Sequence, residues 1–195
     1  MNIEATFVTS AASAADFPGG GLPEVAMVGR SNVGKSSLIN ALVRQRLARA
    51  SAAPGKTRLA NVYRVTRGGR APIHLVDLPG YGYAKGERRE LDEVTRSYFG
   101  RVGQVGRVDL AALLIIDARH PGLENDLEAW RWLRSTIDRF GIVGTKVDKL
   151  ARGERIRALR ELESVFEDAV LPVSAETGEG LDELWKLIDR LTKSR

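Results

Sequence analysis

The chain contains no cysteine among its 195 residues. Disulfide bonds, thiolate metal sites and cysteine nucleophiles are therefore excluded. It also lacks any apolar run of about 20 residues, the length that crosses a bilayer. Its first residues include acids and have no apolar stretch behind basic residues, which is unlike a signal peptide. These absences predict a cytoplasmic protein.

The composition is that of an ordinary globular protein, with 43% apolar and 28% charged residues, and the length suits one domain. The formal net charge of +5 indicates a mildly basic surface. Such a surface favours a polyanionic partner such as RNA. Because acids and bases are interspersed along the chain, it is equally consistent with a merely soluble surface, and both interpretations stay open.

The pattern of the chain changes near residue 22. Residues 1–22 mix Ala, Ser, Gly and Pro without a helical period and predict an irregular N-terminal extension. Residues 23–195 alternate short apolar runs with amphipathic helical patterns, which predicts a single α/β domain with a six-stranded, mostly parallel sheet and helices on both faces. The runs at 59–65 and 72–78 flank a glycine-containing turn, so one antiparallel strand is expected at the edge.

A phosphate-binding loop is predicted between the first of these strands and the first helix. The motif G-x-x-x-x-G-K-[ST] is formed by Gly29, Arg30, Ser31, Asn32, Val33, Gly34, Lys35 and Ser36, and Ser37 follows it. Backbone N–H groups and the helix N-terminus suit phosphate oxygens, and Lys35 adds a full positive charge near the β and γ phosphates. The Ser36 hydroxyl is a predicted Mg²⁺ ligand. This motif alone leaves ATPases, kinases and GTPases open.

Two further segments fit a GTPase. The D-x-x-G motif is formed by Asp77, Leu78, Pro79 and Gly80 after a strand-like run. We expect Asp77 to hold Mg²⁺ through water and the Gly80 N–H to contact the γ phosphate. An earlier polar loop contains Gly55, Lys56, Thr57, Arg58 and Leu59. Thr57 is the hydroxyl predicted to reach Mg²⁺ when GTP is bound.

A guanine-binding element is predicted after the strand at 140–144. It is formed by Thr145, Lys146, Val147 and Asp148, which fit the pattern [NT]-K-x-D. A carboxylate only accepts hydrogen bonds, and guanine offers N1–H and N2–H₂ as adjacent donors, whereas adenine has no such pair. A site built for these donors rejects an analogue without them by ~10⁴ or more. A second element, expected to contact guanine O6, is formed by Val173, Ser174 and Ala175.

Several stretches of the chain resemble one family of GTPases. They are GRSNVGKSSLIN, PGKTR, DLPGYGYAK, DARHP and TKVDKL. From Glu24 onward the chain is similar to the EngB/YihA (YsxC) family of ribosome-biogenesis GTP-binding proteins, which belong to the TRAFAC class of P-loop GTPases. The resemblance implies a three-layer Ras-like fold with five parallel strands and one antiparallel strand. It also implies a role in maturing the large ribosomal subunit, with that subunit or its rRNA and proteins as the partner. We expect the protein to be a monomer.

The chain departs from Ras-like enzymes after D-x-x-G. Tyr81 stands where those enzymes have the Gln that orients the attacking water, so intrinsic hydrolysis is expected to be slow. The resemblance also suggests that Asn32 coordinates a K⁺ that replaces an arginine finger, although an Asn that only caps the loop fits as well. The candidate catalytic residues are Lys35, Thr57, Gly80 and Asn32, with activation expected from K⁺, the ribosome or both.

Basic residues accompany both predicted switch segments. One set comprises Lys85, Arg88 and Arg89 beside Tyr81 and Tyr83, and the other comprises Arg44, Arg46, Arg49, Lys56 and Arg58. Contacts to rRNA phosphates and simple solvation are both consistent with them.

Two other functions remain to be compared with a ribosome-assembly GTPase. One is a GTP-gated module that binds a protein partner in cell division and septation, with incidental hydrolysis. The other is an ATP-dependent kinase of small molecules, which shares only the phosphate-binding loop and is disfavoured by T-K-x-D.

Overall fold

The structure is a computed structural model that describes residues 2–19, 21–48, 59–82, 93–101 and 109–193. The strands in these ranges are β1 (Ile3–Ala11), β2 (Glu24–Gly29), β3 (Ala60–Arg67), β4 (Ile73–Asp77), β5 (Leu110–Asp117), β6 (Phe140–Thr145) and β7 (Val170–Pro172). The helices are α1 (Lys35–Val43), α2 (Glu93–Phe99), α3 (Glu124–Thr136), α4 (Arg152–Phe166) and α5 (Leu181–Leu191).

The strands form one sheet in the order β1-β3-β4-β2-β5-β6-β7. β2 pairs in parallel with β4 and β5, and β6 pairs in parallel with β5 and β7. β3 pairs antiparallel with β4, which confirms the predicted hairpin. The prediction of an α/β fold with a mostly parallel sheet is confirmed.

The first strand was not expected. Residues 3–11 pair antiparallel with β3, from Ile3 opposite Arg67 to Ala11 opposite Ala60, with a register shift between Phe7 and Thr9. The prediction of an irregular extension is therefore wrong for this segment, and the sheet has seven strands rather than six in the described ranges. β3 consequently lies one strand in from the edge, which β1 occupies.

Helices cover both faces of the sheet. α1 and α5 pack on one face, where Leu38, Leu42 and Ile188 are fully or almost fully buried. α2, α3 and α4 pack on the other, around side chains such as Tyr98 and Leu162. β5 lies between these two cores, and all eight of its residues are buried. A central parallel strand covered on both faces explains the uninterrupted apolar run in the sequence.

The parallel strands place the predicted motifs together. β2, β4, β5, β6 and β7 run in one direction, so their carboxyl ends lie along one edge of the sheet. The phosphate loop, D-x-x-G, T-K-x-D and the Ser174 segment follow four of those ends, and an edge of this kind is where α/β sheets bind ligands. No helix of the described ranges is long and apolar enough to cross a bilayer.

Candidate nucleotide-binding site

The loop between β2 and α1 has a backbone conformation that favours glycine at position 34. Gly34 immediately precedes α1 with φ of 110° and ψ of 17°, a left-handed conformation that disfavours residues with a Cβ. Its carbonyl accepts the N–H of Leu38 at 2.8 Å, which begins the helix. Asn32 is also left-handed, with φ of 61°. The loop therefore wraps around the start of α1 as a phosphate-binding loop must.

The Lys35 side chain is buried within the phosphate-binding loop. Its Nζ donates to the carbonyl of Gly29 at 2.9 Å and to that of Arg30 at 3.0 Å. Burial disfavours the ammonium and lowers the pKa of Lys35 to about 8, although Asp77 opposes that shift. The loop thus holds a desolvated cation whose charge anionic phosphate oxygens would stabilise.

Ser36 and Asp77, the two described residues predicted to hold Mg²⁺ directly or through water, lie in contact. The Ser36 hydroxyl donates to Asp77 Oδ2 at 2.6 Å. Asp77 is 4% exposed, and burial raises the pKa of its carboxyl while Lys35 and the Ser36 hydrogen bond oppose the rise. Mg²⁺ prefers hard oxygen ligands and usually keeps several waters, so the Ser36 hydroxyl could ligate it directly and the Asp77 carboxylate could hold it through water. The donor set fits that ion.

The D-x-x-G segment packs directly on the phosphate loop. A Cβ placed on Gly80 would lie 2.7 Å from both the Cα and the N of Ser31, closer than any side chain tolerates. The Ser31 hydroxyl donates to the Gly80 carbonyl at 3.2 Å, and the Ser31 N–H donates to the Tyr81 carbonyl at 3.1 Å. Gly80 is therefore required by the close contact between the two segments.

Tyr81 is anchored rather than free. It is 5% exposed, and its hydroxyl donates to Asp126 Oδ1 on α3 at 2.9 Å. Arg30 Nε lies 3.1 Å from both oxygens of the same carboxylate. Burial and the nearby Asp126 raise the pKa of Tyr81 well above its usual value, so the phenol stays protonated. Asp126 matches none of the GTPase motifs, although it lies in the stretch DARHPGLEND that continues DARHP.

The T-K-x-D segment contacts the phosphate loop. The Thr145 hydroxyl lies 2.8 Å from the Val33 carbonyl and 3.0 Å from the Ile116 carbonyl, so it connects the loop to β5 and β6. Lys146 Nζ donates to the Asn32 carbonyl at 2.7 Å. Two side-chain contacts therefore join the T-K-x-D segment, which is predicted to bind the base, to the loop that is predicted to bind phosphate.

Asp148 is held by the second predicted base element. The Ser174 hydroxyl donates to Asp148 Oδ1 at 2.6 Å and accepts the backbone N–H groups of Thr177 at 3.1 Å and Glu176 at 3.2 Å. The Ser174 hydrogen bond is the main cause that lowers the pKa of Asp148. The carboxylate is therefore charged at neutral pH and fixed on one side, as an acceptor for paired donors should be.

Asp117 and Arg119, which match none of the predicted motifs, complete this region. Asp117 ends β5, and its carboxylate accepts Lys146 Nζ at 2.9 Å and Arg119 Nη2 at 2.7 Å. Burial opposes its charge, but the Arg119 and Lys146 hydrogen bonds outweigh burial and lower the pKa of Asp117 to about 2. The signal available in the sequence was an acid at the end of an apolar strand, next to the other motifs.

The remaining predicted residues differ in what they can contribute. The side chains of Val33, Leu78, Val147 and Val173 are at most 2% exposed, so only their backbone groups are available to a ligand. Leu59 precedes β3 and is 41% exposed. Pro79, Ser37 and Ala175 lie within the segments already described. The predicted residues outside the described ranges are Arg49, Gly55, Lys56, Thr57, Arg58, Tyr83, Lys85, Arg88 and Arg89.

The chain matches known GTPases along most of its length. Residues 24–149 match the family described as 50S ribosome-binding GTPase. A protein of Pelotomaculum thermopropionicum named "Probable GTP-binding protein EngB" is 41% identical, over 95% of this chain and 94% of its own. A protein of the same name from Chlorobaculum tepidum is 42% identical, over 99% of this chain and 100% of its own.

A solved structure extends the comparison to the fold. Era of Aquifex aeolicus, determined with GDP and AlF₄⁻ bound, superposes with a TM-score of 0.74 and 25% sequence identity over 89% of this chain. The present chain spans 58% of the length of that protein. The two chains therefore share the same overall fold across the part that superposes.

Proposed function

Because the chain belongs to the EngB family of GTP-binding proteins, we propose that it is a Mg²⁺-dependent GTP switch that acts in assembly of the large ribosomal subunit. The position of Asp148 is the main support for guanine-nucleotide binding. A charged carboxylate, fixed by Ser174, lies on a segment that contacts the phosphate loop through Thr145 and Lys146. A nucleotide with phosphates on Lys35 would present its base to this carboxylate.

Guanine specificity follows from hydrogen bonding. Asp148 accepts from N1–H and N2–H₂ of guanine, whereas adenine offers this carboxylate no such pair of adjacent donors. Titration of the protein with GDP and ADP tests this part of the proposal. Equal affinity for the two nucleotides would contradict it.

Mg²⁺ fits the same site. Ser36 and Asp77 would hold the ion, and Thr57, which lies outside the described ranges, is the proposed third contributor in the GTP state. When bound, Mg²⁺ neutralises charge on the β and γ phosphates. The Ser36 hydroxyl already lies 2.6 Å from Asp77 Oδ2, so the proposed direct ligand and the carboxylate that would hold the ion through water are close together.

We propose that intrinsic GTP hydrolysis is slow, because Tyr81 is buried and its hydroxyl is already hydrogen-bonded. Its hydroxyl is engaged by Asp126 at 2.9 Å, and burial keeps it protonated, so it is a poor candidate to orient the attacking water. Asn32, exposed and left-handed in the phosphate loop, is the proposed K⁺ ligand. Turnover measured in K⁺ and in Na⁺ buffers tests the K⁺ contribution, and equal rates would exclude it.

The ribosomal role is supported by the description of the family to which residues 24–149 belong. We expect the GTP form to bind large subunits and the GDP form to dissociate. Cosedimentation with purified 50S subunits, with a non-hydrolysable GTP analogue and with GDP, measures this difference. Association that is absent in both states would overturn the ribosomal role, while leaving guanine-nucleotide binding intact.

A further inference from the structure

The carboxylate of Asp117 is saturated with donors from two side chains. Arg119 approaches it with Nε at 2.9 Å from Oδ1 and Nη2 at 2.7 Å from Oδ2, and its backbone N–H lies 3.1 Å from Oδ1. Lys146 Nζ occupies the remaining approach, 2.9 Å from Oδ2. The Asp117 side chain is 6% exposed, so this carboxylate depends on its protein partners rather than on water.

Lys146 is the residue that this carboxylate holds in place. Its backbone is left-handed, with φ of 60°, which a residue with a Cβ adopts only where its surroundings require it. Its ammonium bridges Asp117 and the Asn32 carbonyl, at 2.9 and 2.7 Å. The Lys146 stem also passes the phosphate loop, because a Cβ placed on Gly34 would lie 3.9 Å from Lys146 Cε.

We infer that Asp117, paired with Arg119, is a positioning residue of the nucleotide site that acts through Lys146. The carboxylate holds the Lys146 ammonium against the phosphate loop and thereby fixes the distance between that loop and the segment carrying Asp148. The inference rests on guanine-nucleotide binding, and it is independent of the ribosomal role.

The negative charge of Asp117 is needed to hold both Lys146 and Arg119. Lys146 is 28% exposed and Arg119 is 39% exposed, so both could turn to water if Asp117 were neutral. The bidentate contact with Arg119 keeps Asp117 ionised, in agreement with its pKa of about 2. Arg119 also interacts electrostatically with Asp148, which places its charge on the base side of the site.

A double-mutant cycle on GDP affinity tests this role. The variants are Asp117→Asn, Lys146→Ala and the two combined, all made in the full chain. We expect Asp117→Asn to raise the Kd for GDP about tenfold, because the amide neither attracts the ammonium nor accepts from all of its present donors. We expect the combined variant to bind GDP no worse than Lys146→Ala alone, since both substitutions remove the same link. A purely structural role of Asp117 would instead give additive losses.

Controls separate this outcome from general damage. Arg131→Ala removes an exposed ion pair with Glu124 on α3 and should leave GDP affinity unchanged. If Asp117→Asn fails to fold, Arg119→Ala tests the inference in its place. We expect that variant to raise the Kd for GDP about threefold. Unchanged affinity in the decisive variant, or full additivity in the cycle, would overturn the inference. Failure of the unsubstituted protein to bind GDP would instead overturn the proposed nucleotide function.

Discussion

Tyr81 and Asp126 are joined by a hydrogen bond of 2.9 Å between a buried phenol and a carboxylate with no exposed surface. Arg30 reaches the same carboxylate from the phosphate loop. The residue after D-x-x-G is therefore connected to α3 and to the phosphate loop at once. Any rearrangement of this segment that moves Tyr81 must break or carry with it a hydrogen bond to a buried charge.

Tyr81→Phe should destabilise the protein without changing its chemistry. Asp126 would lose one donor but keep Arg30, so we expect the free energy of unfolding to fall by about 1 to 3 kcal/mol. GTP turnover should stay within about twofold of the unsubstituted protein, because the hydroxyl is not available to orient water. Chemical denaturation and steady-state phosphate release measure the two effects. A large loss of turnover with unchanged stability would show that Tyr81 acts in hydrolysis.

Asp148→Asn should remove guanine preference while leaving the fold intact. The amide presents a donor to the guanine donors and loses the charge, so GDP affinity should fall by about 100-fold or more. Fluorescence titration with labelled GDP measures the loss, and circular dichroism checks the fold. Asp182→Asn, on the exposed start of α5, is the matched control and should bind GDP normally.

Nucleotide affinity should depend on pH through Lys35. In the free protein burial lowers the pKa of Lys35 to about 8, and bound phosphates should raise it again. Below pH 8 the lysine is charged in both states, so affinity is at its maximum. Above that pH the free protein loses a proton that the complex retains, and affinity should fall by up to about tenfold per pH unit.

Calorimetric titration of GDP between about pH 7 and pH 9 measures this dependence, including the proton taken up on binding. Affinity that is independent of pH across this range would show that Lys35 remains fully charged in the free protein. Lys35→Ala removes the cation altogether and should abolish phosphate binding. Tight GTP binding by that variant would contradict the assignment.

Removal of residues 1–12 should lower stability, because β1 supplies the antiparallel partner of β3. We expect the free energy of unfolding to fall by at least about 2 kcal/mol, and the uncovered edge of β3 to promote association. Thermal unfolding and light scattering measure the two effects. Removal of Met1 and Asn2 alone, which leaves β1 whole, is the control. Equal stability of the two truncated forms would contradict the structural importance of β1.

The sequence predicted the parts of the fold whose signal is local. The apolar run of β5 is buried along its whole length, and the phosphate loop, D-x-x-G and T-K-x-D follow strands as their motifs require. The contact of Ser174 with Asp148 also joins two segments that had been assigned separately to one base. In each case the local sequence is sufficient to predict the structure or the contact.

The parts that escaped prediction depend on distant partners. β1 combines polar and small residues with the exposed apolar side chains of Phe7 and Val8, and its strand conformation comes from pairing with β3, 49 to 64 positions later. Arg30 and Asp126 are 96 positions apart, and Asp117 and Lys146 are 29 apart. A buried carboxylate is expected to have partners, but one sequence does not identify them.

The sheet pairs strands over unequal stretches of chain. Ile3 lies opposite Arg67, so the β1-β3 pair is complete once residue 67 is available, whereas Glu24 of β2 lies opposite Leu110 of β5. Pairing over a long sequence separation slows folding. We therefore expect the amides of the β1-β3 pair to become protected before those of the β2-β5 pair at the centre of the sheet.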